Sequence, residues 1–223
     1  MTRIKWYKFS SSLDAETLNS KINKRKFNQY SSDGFQISSF RKDRIEARYI
    51  ERIEYDESQK DPFGETITTR RIVYRDTQFK IFFSSNTLEI INPGRNLNTF
   101  IMKLGEASGF NFSIEPISLD IRKLTYTNNF LASNFQNTSI SISQIDLGEG
   151  TSAKITATGG LNIKETVEQL IAGRAYYISA LTFKSTTRDF VASFVITRDG
   201  GLKTAGKDSN RLIEFLKSEI FII

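Results

Sequence analysis

The basic residues Arg41, Lys42, Arg44, Arg48 and Arg52, followed by Arg70, Arg71 and Arg75, are spaced to line one face of a β-hairpin. Guanidinium and ammonium groups in such a ribbon suit phosphate contacts, and Tyr49, Tyr55 and Tyr74 nearby suit stacking on bases. The same residues also fit a solvated sheet edge whose charges discourage edge-to-edge aggregation. Glu46, Glu51, Glu54, Asp56 and Glu57 interleave with them and blunt the field. A denser cluster, Lys21, Lys24, Arg25 and Lys26, sits where it complements the C-terminal dipole of a helix.

Catalytic chemistry is narrowly bounded. The chain has no His and no Cys, which removes Ser-His-Asp and Cys-His catalysis, imidazole zinc sites and the usual pH switch. A hydrolase would have to use carboxylates, Lys, Tyr or a carboxylate-held metal. Asp56, Glu57, Asp61 and Glu65 crowd one loop without the spacing of a calcium loop. Asp43, Glu46 and Asp76 could meet in space, but nothing in the sequence requires it. Gly159-Gly160 and Gly200-Gly201 read as turns, with no phosphate-loop or dinucleotide fingerprint. The expectation is a non-enzymatic protein without metal or cofactor.

The bulk composition agrees with a folded binding protein. At 223 residues, with 39% hydrophobic residues and 18 Phe, the chain has ample core material and needs no disulfide. The net charge of +6, with a pI of about 9.4, favours polyanion partners. The absence of Cys points to a reducing compartment. Residues 1–9 lack the apolar core of a signal peptide, and no stretch is long and apolar enough to span a membrane. A cytoplasmic location is expected. The chain ends on Phe221, Ile222 and Ile223, apolar residues that either close the core or dock onto a partner, including a second copy.

These residues need elements to position them. Residues 6–9 read as a short strand and 13–25 as a helix, capped by Ser11 or Ser12, with Ala15, Leu18 and Ile22 as its buried stripe. From 35 to 55 the pattern has period two and reads as one half-buried strand, with Ile45, Ala47, Tyr49, Ile53 and Tyr55 on one side and charges on the other. Asp61-Pro62-Phe63-Gly64 is a turn, and 66–74 a return strand. Two further strands flank Ser84-Ser85-Asn86, and a helix follows over 97–104. In the second half, strands fall around 140–142 and 154–156, separated by Gly148-Glu149-Gly150. Asn162 and Glu165 resemble a capping box for a helix carrying Ile163, Val167, Leu170 and Ile171. Strands follow at 176–183, 190–197 and 202–205, and a last helix from 208 or 209 to about 219. Residues 128–139 carry no clear pattern.

The two halves, 1–109 and 110–223, end alike. Phe79-Lys80-Ile81-Phe82-Phe83, a polar turn, Leu88, Gly94 and then Phe100, Ile101 and Leu104 match Phe194-Val195-Ile196, a turn, Leu202, Gly206 and then Leu212, Ile213 and Leu216. Arg75-Asp76 and Arg188-Asp189 precede the two phrases. This phrase resembles the one that closes each repeat of the TATA-binding-protein-like fold. That resemblance covers two stretches of about 25 residues and implies a tandem α+β architecture, each half a mainly antiparallel sheet with helices on one face. The family's DNA-kinking Phe pairs have no counterpart here, so it implies architecture rather than TATA recognition. The expected function is nucleic-acid binding through a basic sheet or hairpin face, as DNA or RNA, within a larger complex. The alternative is an assembly subunit that docks through its sheet and apolar C-terminus.

Overall fold

The computed structural model of the chain describes residues 1–121, 129–160, 163–171 and 173–221. Its elements run β1 (Thr2–Ser11), α1 (Ala15–Lys24), β2 (Asp33–Arg41), β3 (Arg44–Lys60), β4 (Thr66–Phe82), β5 (Thr87–Ile91), α2 (Asn98–Ser108), β6 (Phe112–Pro116), α3 (Asn129–Asn134), β7 (Phe135–Gly148), β8 (Thr151–Thr158), α4 (Ile163–Leu170), β9 (Tyr177–Ser185), β10 (Ser193–Thr197), β11 (Gly201–Ala205) and α5 (Ser209–Phe221). The protein is α+β, and every strand pair with a defined register is antiparallel. No helix among the described residues is long and apolar enough to cross a membrane.

The chain packs as two compact units, Phe9–Ile114 and Met1–Lys8 with Glu115–Ile223. The first strand begins in the second unit because Ile4 and Trp6 are buried in the core that holds Phe194, Ile196 and Leu202. Full burial of such side chains is worth about 2 kcal/mol each, enough to draw the amino terminus away from the residues that follow it in sequence.

In the hairpin unit, Phe9–Ile114, the sheet order is β2-β3-β4-β5. The run 35–55, expected as one strand, is two: β2 and β3 pair through a tight turn at Lys42-Asp43, with Arg41 opposite Arg44. Period two sets the two faces of the sheet. Ile45, Ala47 and Tyr49 are buried and lie opposite Ile81, Phe79 and Thr77, and Phe79 meets Phe100 of α2 with ring centroids 4.9 Å apart. Leu18 and Ile22 of α1 are fully buried. The cap of α1 is Asp14, whose carboxylate accepts from the Thr17 N–H at 2.7 Å; Ser11 and Ser12 lie one turn too early to do so. The return strand does not break after Tyr74 but runs unbroken as β4 to Phe82. Beyond residue 53 the period-two pattern persists without a core to meet. Residues 54–60 and 66–76 are exposed on both faces, so β3 and β4 form a two-stranded arm.

The other unit has the order β1-β11-β10-β9-β7-β8, and is called the six-strand unit below. Its helices cover one face, where Leu131 of α3, Ile163 and Val167 of α4, and Leu212, Ile213 and Leu216 of α5 join the core. The patternless stretch resolves into α3 and the start of β7. Leu170, expected in the buried stripe of α4, is 65% exposed, because Ile171 takes the buried place. Asn162 of the expected capping box lies outside the described residues, as do Asn128, Ile222 and Ile223. Phe221 is half-buried and meets Trp6 edge-on at 5.5 Å.

Each unit contains three consecutive antiparallel strands followed by a helix, β3-β4-β5-α2 and β9-β10-β11-α5. Their two aligned glycines differ in role. Gly206 has φ +121°, and a Cβ there would lie 2.3 Å from the Val191 carbonyl oxygen. Gly94 has no positive φ and open space around it.

Candidate nucleic-acid interface

The hairpin register distributes the arginines over two faces rather than one. Arg44, Arg48, Arg52 and Arg70 share a side of the β3–β4 ladder, whereas Arg71 and Arg75 share the opposite side with Tyr55 and Tyr49. Each is met by a carboxylate. Arg44 contacts Glu46 at 3.0 Å, Arg48 contacts Asp76 at 3.0 Å, and Arg52 contacts Glu54 at 2.9 Å. Arg70 also pairs with Glu54, Arg71 with Glu57 at 2.8 Å and Arg75 with Glu51 at 3.4 Å. Exposed pairs of this kind contribute at most about 1 kcal/mol each, but together they cancel the field a phosphate would feel. Arg41 stands opposite Arg44 at the tip of β2–β3, beside exposed Lys42, and neither Arg41 nor Lys42 has an ion pair among the described residues.

The interleaved carboxylates, visible in the sequence, thus decide the electrostatics of the arm. Burial, reinforced by the charges of Asp33, Glu51 and Glu106, holds the Tyr49 phenol strongly toward its neutral form. Its hydroxyl is buried without a hydrogen-bond partner among the described residues, and it is unavailable for stacking. Lys21, Lys24 and Arg25 fall at the end of α1, where Arg25 contacts Glu106 at 3.3 Å.

A second charged surface lies on the six-strand unit, on the face opposite its helices. Because Ile4, Leu202, Phe194, Ile196, Leu181 and Ile140 point into the core, their strand neighbours point out. Register then fixes one row across the sheet: Arg3, Lys203, Val195, Thr182, Ser139 and Thr158. In the adjacent row Thr197, Ala180, Ser141 and Thr156 lie side by side, and Lys5 faces Gly201. Lys184 lies opposite Ser193 on the same side. The surface is therefore built of small and hydroxylated residues with cations standing above them.

Two of those cations are directly opposed. Arg3 and Lys203 are cross-strand partners in the β1–β11 ladder, both exposed. Lys184 and Lys203 form no ion pair among the described residues. The carboxylate at this edge is Asp199, which pairs with Lys5. Burial pushes the Asp199 carboxyl up, but hydrogen bonds from Lys5 and Thr197 outweigh that and hold it below its usual value. Burial, and then the charge of Asp199, raises the Tyr7 phenol, and the Lys5 ammonium sits 5.8 Å from the Tyr7 ring.

The sequence signal for this surface was weak. Arg3, Lys5, Lys184 and Lys203 are scattered over the chain and only strand pairing assembles them; the alternation of Lys203 between Leu202 and Thr204 was the readable part. In the same unit a cavity is lined by Ser118, Asp120, Tyr176, Tyr177 and Arg198. There the Arg198 guanidinium lies 4.3 Å from the Tyr177 ring centroid and donates to Ser118 at 3.3 Å. Among the described residues, no group of three or more Asp, Glu, His or Cys is arranged to hold a metal. Set against known proteins, the chain matches no family model and no curated sequence, so its function is read from the chemistry of these two surfaces.

Proposed function

We propose that this protein is a non-enzymatic nucleic-acid-binding module that grips the phosphate backbone with the helix-free face of its six-strand unit. The observation that carries this reading is the Arg3–Lys203 pair. Strand pairing gathers these two exposed cations from distant parts of the chain onto one face, an arrangement that suits a polyanion. Lys184 widens the cationic side, and the Ser and Thr hydroxyls of the same rows supply further donors to phosphate oxygens. No aromatic side chain stands in those rows, so the expected contact is with the backbone and independent of base sequence. This reading moves the interface from the arginines of the hairpin, which their own carboxylates occupy, to the sheet.

The same reading takes the two similar endings as traces of an internal duplication with a TATA-binding-protein-like plan, of which the six-strand unit kept the ligand face. It also places the protein in the cytoplasm, within a larger nucleoprotein complex. Titration of labelled duplex DNA, single-stranded DNA and RNA at two salt concentrations tests the proposal. Binding should weaken steeply with salt, with a slope of roughly −0.9 per neutralised phosphate on duplex DNA. Absence of binding to all three at low salt overturns it.

A further inference from the structure

The arm formed by β3 and β4 is open along both edges as well as on both faces. Hydrogen-bond phasing fixes which groups point outward. The Phe83 N–H donates to the Asp43 carbonyl at 2.9 Å, the Asp61 N–H to the Glu65 carbonyl at 2.9 Å, and the Arg52 N–H turns away from β4 to the Ser32 carbonyl at 2.7 Å. Odd-numbered residues therefore bond inside the hairpin ladder, and even-numbered ones present their N–H and C=O outward. The partner β2 reaches only to Glu51 of β3, and β5 only to Gln78 of β4. Among the described residues, outward groups at Glu54, Asp56 and Ser58 on one edge, and at Thr68, Arg70, Ile72 and Tyr74 on the other, have no strand beside them.

A two-stranded ribbon with no core is marginal in water, and this one exposes Ile67, Ile72, Val73 and Tyr74 at 41–62%. The residues 66–74, Thr-Ile-Thr-Thr-Arg-Arg-Ile-Val-Tyr, are rich in β-branched and aromatic types, with no Pro or Gly to spoil pairing. Charge then selects the occupant. Between residues 53 and 59 the outer strand carries Glu54, Asp56 and Glu57 and no base, while residues 66–75 carry Arg70, Arg71 and Arg75 and no acid. Within one hairpin these residues already pair, Arg70 with Glu54 and Arg71 with Glu57 at 2.8 Å; pairing unlike edges continues that alternation of acid and base on both faces, whereas pairing like edges would set acid on acid or base on base.

We propose that the arm is a self-assembly element: the acidic β3 edge of one copy pairs with the basic β4 edge of a second copy, extending one continuous antiparallel sheet. Such an interface is head-to-tail, so it propagates into a ring or a filament instead of stopping at a two-fold dimer. It does not depend on the nucleic-acid reading, because the arm belongs to the other unit.

The test is the mass of the full-length protein by light scattering across a concentration series, without nucleic acid. The wild type should grow beyond 25.5 kDa as concentration rises. Thr68→Pro deletes an outward N–H that the hairpin does not use, and should return the protein to a single copy with its circular dichroism unchanged. The pairs Glu54→Lys with Glu57→Lys, and Arg70→Glu with Arg71→Glu, should each be single copies alone and assemble when mixed, since each then offers the edge charge the other lacks. A wild type that stays at one copy throughout overturns the proposal, as does association that survives Thr68→Pro. Failure of the mixed charge variants to assemble overturns the head-to-tail pairing.

Discussion

Arg3 stands directly opposite Lys203 in the β1–β11 ladder, two cations that the fold brings together from opposite ends of the chain. Lys203→Glu sets a carboxylate into the cationic row. Affinity for DNA or RNA should fall and the salt slope shrink by roughly one contact, while thermal stability without nucleic acid changes by no more than about 1 kcal/mol. Fluorescence anisotropy and differential scanning calorimetry on the same preparation check both. Arg71→Ala on the arm should leave binding unchanged.

Tyr49 offers a second test. Its ring is 1% exposed among Phe35 and Phe100, and its hydroxyl has no hydrogen-bond partner among the described residues. Leaving such a group unpaired costs about 1–3 kcal/mol. Tyr49→Phe should therefore be neutral or stabilising by roughly 1 kcal/mol, measured by urea unfolding. A loss of stability would show that the hydroxyl finds a partner in solution.

The two aligned glycines should respond differently. Gly206→Ala forces a side chain into φ +121° and against the Val191 carbonyl, and should cost at least about 2 kcal/mol. Gly94→Ala meets nothing within 4 Å and should change stability by no more than about 0.5 kcal/mol. Chemical denaturation of both variants reads the difference.

Acid should weaken the Lys5–Asp199 contact in a defined direction. The Asp199 carboxyl is held below its ordinary value of 3.8, so its folded form binds a proton less readily than its unfolded form. Its stabilising contribution is complete above the ordinary value and disappears as pH falls through the depressed one. The wild type should exceed Asp199→Asn in stability at neutral pH, and the two curves should converge in strong acid. The carboxylate is well exposed, so added salt should narrow the gap.

The sequence by itself determined the local order of this protein. Period two over 35–55, the Asp61-Pro62-Phe63-Gly64 turn and the apolar spacing of Leu18 and Ile22 depend on neighbours a few residues apart, and the hairpin and α1 follow them, although the turn between Arg41 and Arg44 was not legible. Gly109 closes α2 in the left-handed region, at φ +69°. Tertiary structure decided what those elements do. Alternation could not say that Tyr55 would find no core, because that depends on which helices reach it. Nor could it say which arginines would meet carboxylates, since register across β3–β4 sets the partners. Arg3 and Lys203 are 200 positions apart, and only antiparallel pairing between the first strand and the last makes them neighbours. The charge visible in the sequence was real; its useful location was a product of long-range strand order.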